Sequence, residues 1–457
     1  MKTPLYPINT LSKCIILMVL ALTVQLTFSQ DKPINDVTKP LHLMEPDYPT
    51  LYDAPTAESV KAAIHRIYTF LDEATPAKLM DSRTKEVWSN PETLNSHAVF
   101  AEGLFRLTSY EWGVTYAGML HAAKATGNDN YTNYTQERLS LIAHLANYFK
   151  QHNATNEAKD SPVHSVIHPG ALDDAGAICA AMIKLNRMGM GDQLRPYIDN
   201  FIDYISAKQF RLSDGTLARN RPHPNTLWLD DLFMSVPALA QMGKLTGEKK
   251  YYDDAVKQVI QFSNRMFKKE KGLYMHGWCE DMEVHPQYHW ARANGWAIMA
   301  IVELLDVLPE THSGYAAVLK QLQLHVAGLT AYQDQTGFWH QLIDRNDSYL
   351  ETSATAIYTY AMARAINRGF IDKTAYSPAV LLAWNAVATK VNEKGQVEGT
   401  CVGTGMAFDP AFYYNRPIHI FAAHGYGPAI LAGAEILELI TNNDFEINDA
   451  SLQLKRK

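Results

Sequence analysis

Two adjacent carboxylates, Asp230 and Asp231, open an otherwise apolar stretch and are the first residues with the potential for chemistry. From Leu229 to Met242 nearly all of the remaining side chains are apolar, which is typical of a buried helix. Burial raises the pKa of a carboxyl group, and a carboxyl that keeps its proton can act as a general acid. Trp228 adds to the apolar surroundings. Helix capping is the alternative role, but it needs only one aspartate. We therefore predict that at least one of the pair is catalytic.

A second pair of carboxylates, Asp173 and Asp174, opens a helix of small residues in the same way. Two carboxyl groups that come from different helices and face one cleft are what acid–base chemistry on a glycosidic bond requires. Capping of the helix is again the alternative. The sequence does not decide which of the two faces a cleft.

An arginine among aromatic rings is the third candidate. Arg292 lies between Trp290 and Trp296, downstream of His276. A guanidinium binds a carboxylate through two parallel hydrogen bonds, and tryptophan rings pack on the C–H faces of sugars. In the alternative interpretation Arg292 pairs with a protein carboxylate and the tryptophans belong to the core. His276 is either a substrate-binding residue or a structural one.

Nearby metal-ligating residue types do not predict a metal site. His285 and His289 have the spacing of two ligands on one helix, with Glu283 close by, but Pro286 disrupts that helix. The chain also lacks a phosphate loop, a dinucleotide fingerprint and a Gly-x-Ser-x-Gly elbow. We therefore expect neither a metal nor an organic cofactor.

A sequence pattern that occurs twice indicates which helices position these residues. Lys124–Tyr131 reads K-A-T-G-N-D-N-Y, and Lys244–Tyr251 reads K-L-T-G-E-K-K-Y. In both copies an apolar helix ends at glycine, the usual residue just past a helix C-terminus, and an amphipathic helix follows. Such repetition is typical of one supersecondary unit used several times.

Extending this unit along the chain predicts six apolar and six amphipathic helices. The apolar helices are expected to begin near residues 112, 174, 230, 293, 352 and 425. The amphipathic helices are expected at 56–73, 133–149, 193–206, 250–266, 313–329 and 374–389. The predicted fold class is all-α, a single-domain (α/α)6 barrel over residues 56–457. An open helical solenoid is the alternative, although helices that are apolar on all sides need neighbours on all sides.

The N-terminus predicts export. Residues 1–29 have a lysine-bearing start, an apolar segment and small residues at the position expected for cleavage. The apolar segment has about 15 residues, fewer than the roughly 20 that span a bilayer. Residues 30–55 would then form an N-terminal extension. We expect a periplasmic protein, with secretion as the alternative.

Charge and composition argue against several classes of partner. The net charge of −7 is spread along the chain, which disfavours nucleic acid and an anionic membrane. Cys179, Cys279 and Cys401 show neither disulfide-framework nor zinc spacing. The 24 Tyr and 8 Trp suit a sugar-binding protein, although most aromatic residues are simply core. A monomer or a weak homo-oligomer is expected.

Taken together, these segments resemble glycoside hydrolase families 105 and 88, the unsaturated rhamnogalacturonyl and glucuronyl hydrolases. The resemblance covers roughly residues 60–440 and rests on motifs in chain order: Trp228-Leu-Asp-Asp-Leu-Phe-Met, His276-Gly-Trp, Trp290-Ala-Arg-Ala-Asn-Gly-Trp, Gly337-Phe-Trp-His-Gln with Glu351-Thr-Ser-Ala-Thr, and His424-Gly-Tyr-Gly-Pro. It implies an (α/α)6 barrel and a hydrolysis that needs no metal or organic cofactor.

The resemblance also implies a reaction and residue roles. The substrates carry a 4,5-unsaturated uronic acid at the non-reducing end, left there by polysaccharide lyases. One aspartate protonates the vinyl ether and helps water to add, after which the hemiketal opens and releases the next sugar. This role falls on Asp230, and the second aspartate on Asp173 or Asp174. The implied substrate-binding residues are Arg292, Trp290, Trp296 and His276, to which we add Trp228 and Asp231 as neighbours of the acid.

The expected substrate is a small oligosaccharide in which the unsaturated uronate is attached to rhamnose. Its parent polymer is either rhamnogalacturonan from pectin or a sulfated glucuronorhamnan such as ulvan. Two other functions stay open at this point. One is a conventional glycosidase that uses two carboxylates on saturated oligosaccharides, and the other is a non-catalytic glycan-binding protein.

Overall fold

The computed structural model describes residues 34–88, 94–152, 161–448 and 451–455. The expected signal segment, residues 1–29, lies outside the described residues. Asp47–Lys457 forms one compact unit, and the unit before it, which ends at Pro46, contains a short 3-10 helix at Leu41–Leu43. Among the described helices, none combines the length and the apolar character of a membrane span.

The described chain is mainly helical. In chain order the helices are α1 (Ala57–Ala74), α2 (Tyr110–Thr126), α3 (Asp129–Gln151), α4 (His164–Ile167), α5 (Leu172–Arg187), α6 (Arg195–Asp203), α7 (Val236–Thr246), α8 (Lys249–Met266), α9 (Ala291–Leu305), α10 (Tyr315–Ala331), α11 (Thr352–Asn367), α12 (Lys373–Thr389), α13 (Pro410–Tyr414) and α14 (Tyr426–Asn442). A π-helical turn, Tyr204–Lys208, continues α6.

The helices form two concentric rings. The inner helices α2, α5, α7, α9, α11 and α14 pack side by side in this order, and α14 returns to α2. The outer helices α3, α6, α8, α10 and α12 each pack on the inner helix that precedes them, and α1 packs on α14. This is the predicted (α/α)6 barrel, and its closed inner ring is incompatible with the open solenoid.

The inner helices are buried because their sequences leave no polar face. Every residue of α9 is buried, whereas α8 buries only one stripe of its surface. Glycine brings some inner helices unusually close together. A Cβ atom on Gly176 would lie 1.9 Å from the carbonyl oxygen of Met234, so a larger residue at this position would force the two segments apart.

The segment that carries Asp230 differs from the sequence prediction. It forms a separate 3-10 turn, Leu229–Leu232, and α7 begins only at Val236. Ser235 has non-helical backbone angles, and Pro237 occupies the first turn of α7, where its missing N–H costs nothing. The predicted helix start at residue 230 is therefore wrong, and the two aspartates lie on a turn ahead of the inner helix.

Short antiparallel ribbons lie between the helices and, in one case, after the last helix. The pairs are β1 (Leu79–Asp81) with β2 (Ala98–Phe100), β3 (Thr226–Trp228) with β6 (Gly277–Cys279), β4 (Phe267–Lys268) with β5 (Leu273–Tyr274), β7 (Trp339–His340) with β8 (Leu350–Glu351), and β9 (Phe445–Asn448) with β10 (Ser451–Leu454). The β3–β6 register pairs Trp228 with Gly277, which brings the turn after β3 next to the residue before β6.

Charged side chains lie at the other end of the inner ring, in the C-terminal halves of the inner helices. Arg364 contacts both Glu435 and Asp306, and Lys184 contacts Glu303 at 2.7 Å. Paired charges of this kind are tolerated in a protein interior, but removing one partner leaves the other buried without compensation. The network therefore fixes this end of the barrel.

Candidate active site

Asp230 and His276 form the centre of the site. Asp230 Oδ2 lies 3.0 Å from His276 Nε2, and His276 Nδ1 lies 2.7 Å from the hydroxyl of Tyr413. His276 is buried, while 14% of the Asp230 side chain is exposed. The imidazole is therefore held in one orientation between a carboxyl and a phenol, and a proton can be shared between Asp230 and His276.

The electrostatics of Asp230 differ from the expectation. Burial raises its pKa, as predicted, but the charge and hydrogen bond of His276, together with the charge of Arg219, outweigh burial, and the pKa of Asp230 is lowered overall. The prediction of a raised pKa is therefore wrong for the protein by itself, because the sequence did not reveal the contact with His276. A bound anion beside Asp230 would raise its pKa again.

Arg219 joins two of the predicted aspartates. Its guanidinium contacts both carboxylate oxygens of Asp231, at 2.9 and 3.0 Å from Nε, and both oxygens of Asp173, at 2.9 and 3.0 Å. Burial alone would lower the pKa of Arg219, but these two carboxylates raise it. Asp231 is fully buried in this ion pair, so it supports the site and offers no free oxygen to a substrate.

The structure separates the roles of Asp173 and Asp174. Asp174 Oδ2 accepts the N–H groups of Gly170 at 2.9 Å and Ala171 at 3.1 Å, so Asp174 stabilises the start of its own helix. Asp173 points to Arg219 and lies in the same cluster as Asp231. Of the two residues that the sequence left undecided, Asp173 is the one in the cluster.

Arg292 is a buried cation without an acidic partner. Its two terminal nitrogens donate to the carbonyl oxygens of Cys401 and Val402, both at 2.6 Å, and its side chain is 1% exposed. Among the described residues no carboxylate lies within ion-pair distance of it. Ser353 links the guanidinium to a carboxylate, because Ser353 accepts a hydrogen bond from Arg292 at 3.3 Å and donates one to Glu351. Burial disfavours the charge of Arg292, but Cys401, Glu351, Tyr110 and Asp230 outweigh burial and raise its pKa, so the guanidinium stays charged and can attract an anionic ligand.

Sequence reasoning missed Tyr110, which also belongs to the site. The Tyr110 hydroxyl lies 2.7 Å from His424 Nε2. Burial, followed by the charge of Glu111, raises the pKa of Tyr110 well above its ordinary value, and Arg292 opposes this rise. Burial, followed by Arg292, lowers the pKa of His424, which is therefore neutral near pH 7. Tyr110 begins the first inner helix, but no motif around it distinguished it from a core tyrosine.

Two of the three predicted tryptophans are placed differently from expectation. Trp290 and Trp296 are each 1% exposed, and Trp296 is stacked on Phe233 at 4.9 Å between ring centroids. Neither ring has a free face for a sugar, because Trp290 directly precedes the fully buried helix α9 and Trp296 lies within it. Trp228 is partly exposed, and the guanidinium of Arg221 lies 4.7 Å from its ring.

With this geometry in place, comparison with known proteins assigns the chain. The sequence profile described as Glycosyl Hydrolase Family 88 matches residues 70–440. The chain belongs to glycosyl hydrolase family 88. This family 88 enzyme is therefore a glycoside hydrolase, in agreement with the resemblance found in its sequence.

Curated relatives of the family 88 enzyme are distant. It is 23% identical over 338 residues to the unsaturated rhamnogalacturonyl hydrolase YesR of Bacillus subtilis, a match that covers 72% of this chain and 90% of the relative. It is 29% identical over 226 residues to an unsaturated 3S-rhamnoglycuronyl hydrolase of Formosa agariphila, covering 46% of this chain and 58% of that relative.

Solved structures support the fold of the family 88 enzyme. A possible member of the GH105 family from Salmonella enterica aligns with a TM-score of 0.65 at 22% identity, covering 87% of this chain and 97% of the other. The unsaturated glucuronyl hydrolase of Bacillus sp. GL1 aligns with a TM-score of 0.57 at 14% identity, covering 82% and 96%. At these identities the comparison concerns the fold alone.

Proposed function

We propose that this enzyme removes a 4,5-unsaturated uronic acid from the non-reducing end of oligosaccharides that polysaccharide lyases produce. One observation carries the proposal: a carboxyl in contact with an imidazole lies near a buried guanidinium that has no carboxylate within ion-pair distance among the described residues. Burial lowers the pKa of Arg292, but the charges of Cys401, Glu351, Tyr110 and Asp230 together raise it, so Asp230 lies within electrostatic reach of the guanidinium. The substrate has the matching groups, because its carboxylate is attached to C5, one end of the reactive double bond.

The reaction follows from this arrangement. Arg292 binds the uronate carboxylate, and Asp230 donates its proton to C4 of the vinyl ether. The positive charge that develops on C5 and the ring oxygen is quenched by water, whose proton returns to Asp230. The hemiketal formed at C5 opens, and the hemiacetal at C1 then expels the next sugar as an alcohol. Asp230 is thus protonated again at the end of the cycle.

In the proposed reaction, binding of the substrate raises the pKa of Asp230. In the protein by itself His276 holds the pKa of Asp230 below its ordinary value. The uronate carboxylate adds a negative charge next to Asp230, and a like charge raises the pKa of a carboxyl group. A higher pKa favours the protonated carboxyl of Asp230, which is the form that can donate a proton to C4. Tyr413 keeps His276 oriented during this step.

We further propose that the leaving sugar is rhamnose and that the enzyme is exported. Support for rhamnose comes from relatives named as rhamnogalacturonyl and 3S-rhamnoglycuronyl hydrolases, so the parent polymer is rhamnogalacturonan or an ulvan-like glucuronorhamnan. Support for export comes from the composition of residues 1–29. Fractionation of cells and N-terminal sequencing of the mature chain test the location.

A panel of lyase-generated oligosaccharides tests the activity. We expect the ultraviolet absorbance of the conjugated alkene to disappear at the rate at which the next sugar is released, fastest for the uronyl-rhamnose pair of one polymer. Matched saturated oligosaccharides should not be cleaved. Cleavage of the saturated set, or release of the sugar while the absorbance persists, would contradict the hydration mechanism and favour a conventional glycosidase.

A further inference from the structure

Glu351 is a buried carboxylate that the proposed reaction does not use. Its side chain is fully buried and caps the N-terminus of the inner helix α11. Oε1 accepts hydrogen bonds from the N–H groups of Ser353 at 3.1 Å and Cys401 at 2.9 Å, and Oε2 accepts one from Ala354 at 2.6 Å. A cap requires only the contacts within α11. The contact with Cys401 is different, because it joins the start of this helix to a segment 50 positions away.

Two short paths connect this carboxylate with the guanidinium of Arg292. In the first, the hydroxyl of Ser353 donates to Glu351 Oε1 at 2.8 Å and accepts from Arg292 Nη1 at 3.3 Å. In the second, the N–H of Cys401 donates to Glu351, and the carbonyl oxygen of Cys401 accepts from the same Nη1 at 2.6 Å. Both acceptors of Nη1 are therefore held in place by Glu351.

The contacts of Arg292 leave two of its donors without a partner. A guanidinium has five N–H groups. Nη1 uses both of its N–H groups, Nη2 donates one to Val402, and Nε makes no hydrogen bond with the described residues although it is buried. The two donors that remain belong to Nε and Nη2, the pair of nitrogens that can bind a carboxylate side-on through two parallel hydrogen bonds.

Glu351 supports the charge of Arg292 without occupying these donors. Burial lowers the pKa of Arg292, and Cys401, followed by Glu351, is the largest influence that raises it. A protein carboxylate in direct contact with the guanidinium would also support its charge, but it would compete with a substrate carboxylate for the same N–H groups. A carboxylate that acts through Ser353 and Cys401 avoids this competition.

We propose that Glu351 is a positioning residue of the uronate site. Through Ser353 and the backbone of Cys401 it holds Nη1 of Arg292, so that Nε and Nη2 are left for the uronate carboxylate. Glu351 does not contact the substrate. It acts through Arg292 and thereby determines how strongly the enzyme prefers a free carboxylate over its ester. This inference rests on the proposed function, because it takes the uronate carboxylate as the ligand of Arg292.

The test measures this preference. The two substrates are an unsaturated uronyl disaccharide and its methyl ester, which lacks the negative charge of the carboxylate. For each enzyme the measured quantity is the ratio of kcat/KM for the acid to kcat/KM for the ester. A loss of folded protein lowers both values equally and cancels in this ratio. A purely structural role of Glu351 would therefore leave the ratio unchanged.

Glu351→Gln should lower the ratio about tenfold, because it removes the charge and replaces one acceptor with a donor that faces other N–H groups. Ser353→Ala removes only the hydroxyl link to Arg292 and keeps the contact between Glu351 and Cys401, so it should lower the ratio less. Ser353→Ala is a small change at a buried position, and it decides the outcome if Glu351→Gln does not fold.

A matched control and a double variant separate positioning from capping. Asp372 caps the outer helix α12 by accepting the N–H of Ala375 at 2.7 Å. Asp372→Asn should therefore lower stability and leave the ratio unchanged. In an Arg292→Met background, Glu351→Gln should have no further effect on the ratio, because its influence passes through Arg292. Additive effects of the two substitutions on the ratio would contradict the positioning role.

The failure of this inference differs from the failure of the proposed function. If wild-type enzyme prefers the acid and Arg292→Met removes that preference, but Glu351→Gln and Ser353→Ala keep the wild-type ratio, then Glu351 only caps α11 and the proposed function stands. If wild-type enzyme consumes neither unsaturated substrate, the proposed function is wrong, and the inference about Glu351 fails with it.

Discussion

Asp230 and His276 are 46 positions apart in the chain, yet their side chains meet at 3.0 Å. The β3–β6 ribbon produces this contact, since Trp228 pairs with Gly277 and the two reactive residues flank that pair. His276 lowers the pKa of Asp230, so a titration measured for this carboxyl reflects its contact with the imidazole. In the proposed reaction Asp230 is the acid, and its contact with His276, more than its burial, determines its pKa.

Replacing the acid should abolish turnover and spare binding. We expect Asp230→Asn to lower kcat by about 10²- to 10⁴-fold, the usual contribution of a general acid, with the Kd for an unsaturated disaccharide little changed. Steady-state kinetics and calorimetric titration measure the two effects. Asp174→Asn is the matched control, because Asp174 only binds the backbone at the start of α5 and its loss costs about 1 kcal/mol of stability. Wild-type turnover by Asp230→Asn would remove Asp230 from its role.

Removing the imidazole should raise the pKa of Asp230. Burial raises this pKa, whereas His276 and Arg219 lower it, and His276 is the larger of the two lowering influences. In His276→Gln the effect of burial is less opposed, so the carboxyl should keep its proton to higher pH. The infrared band of the protonated carboxyl, assigned by its absence in Asp230→Asn, follows this titration. An unchanged or lower pKa would contradict the account of the pair.

Arg292 should contribute to kcat/KM by binding the negatively charged carboxylate of the substrate. We expect Arg292→Met to lower kcat/KM for the unsaturated disaccharide by about 10²-fold, as for a lost charge-assisted contact. The methyl ester of the same substrate lacks the carboxylate charge, so it should be poor for wild-type enzyme and should lose little more in the variant. Equal losses on the acid and the ester would show that Arg292 only holds the Cys401–Val402 carbonyl groups.

The Arg219 cluster should be essential for stability. Arg219→Met leaves Asp231 buried without its counter-ion, which should lower the free energy of unfolding by about 3–5 kcal/mol. The double variant Arg219→Met, Asp231→Leu removes both charges and should recover part of the loss. Denaturant unfolding of the three proteins measures this. If the double variant is no more stable than the single one, the lost stability does not come from the unpaired carboxylate.

Low pH should reduce the stability that Glu435 contributes at the end of the barrel where the inner helices end. Burial raises the pKa of Glu435, but His121, Arg364 and Asn367 outweigh it and lower the pKa. A lowered pKa in the folded state means that the ionised Glu435 stabilises the protein above the ordinary pKa of glutamate, and that this stability is lost as the pH falls through the folded-state value. Glu435→Gln should therefore be less stable than wild type at neutral pH, and the difference should narrow in acid. A difference that is independent of pH would contradict the assignment.

The fold was predictable because its signals are local. Apolar helices that end at glycine, such as those before Gly127 and Gly247, recur with the spacing of one repeated unit, and both glycines adopt the left-handed conformation in the structure. Burial on all sides then requires a closed ring. The start of α7 was misplaced because apolar character alone did not show the break at Ser235 before Pro237.

The site was only partly predictable because its contacts are long-range. The sequence marked Asp230, Asp173 and Arg292 by residue type and surroundings. No sequence pattern indicates that the carbonyl oxygen of Cys401, 109 positions after Arg292, accepts a hydrogen bond from the guanidinium. Nor does any pattern indicate that Arg219 bridges two aspartates. Tyr110 was missed for the same reason, since its partner His424 is 314 positions away. Such contacts appear only once the ring has closed.

The central claim is that Asp230 delivers a proton to C4 of an unsaturated uronate, and proton NMR of the reaction in D2O tests it most directly. The account predicts that the vinylic H4 signal disappears as the next sugar is released, and that the earliest product carries a single deuteron at C4 in one stereochemical position. Release of the sugar while the H4 signal persists would contradict the account.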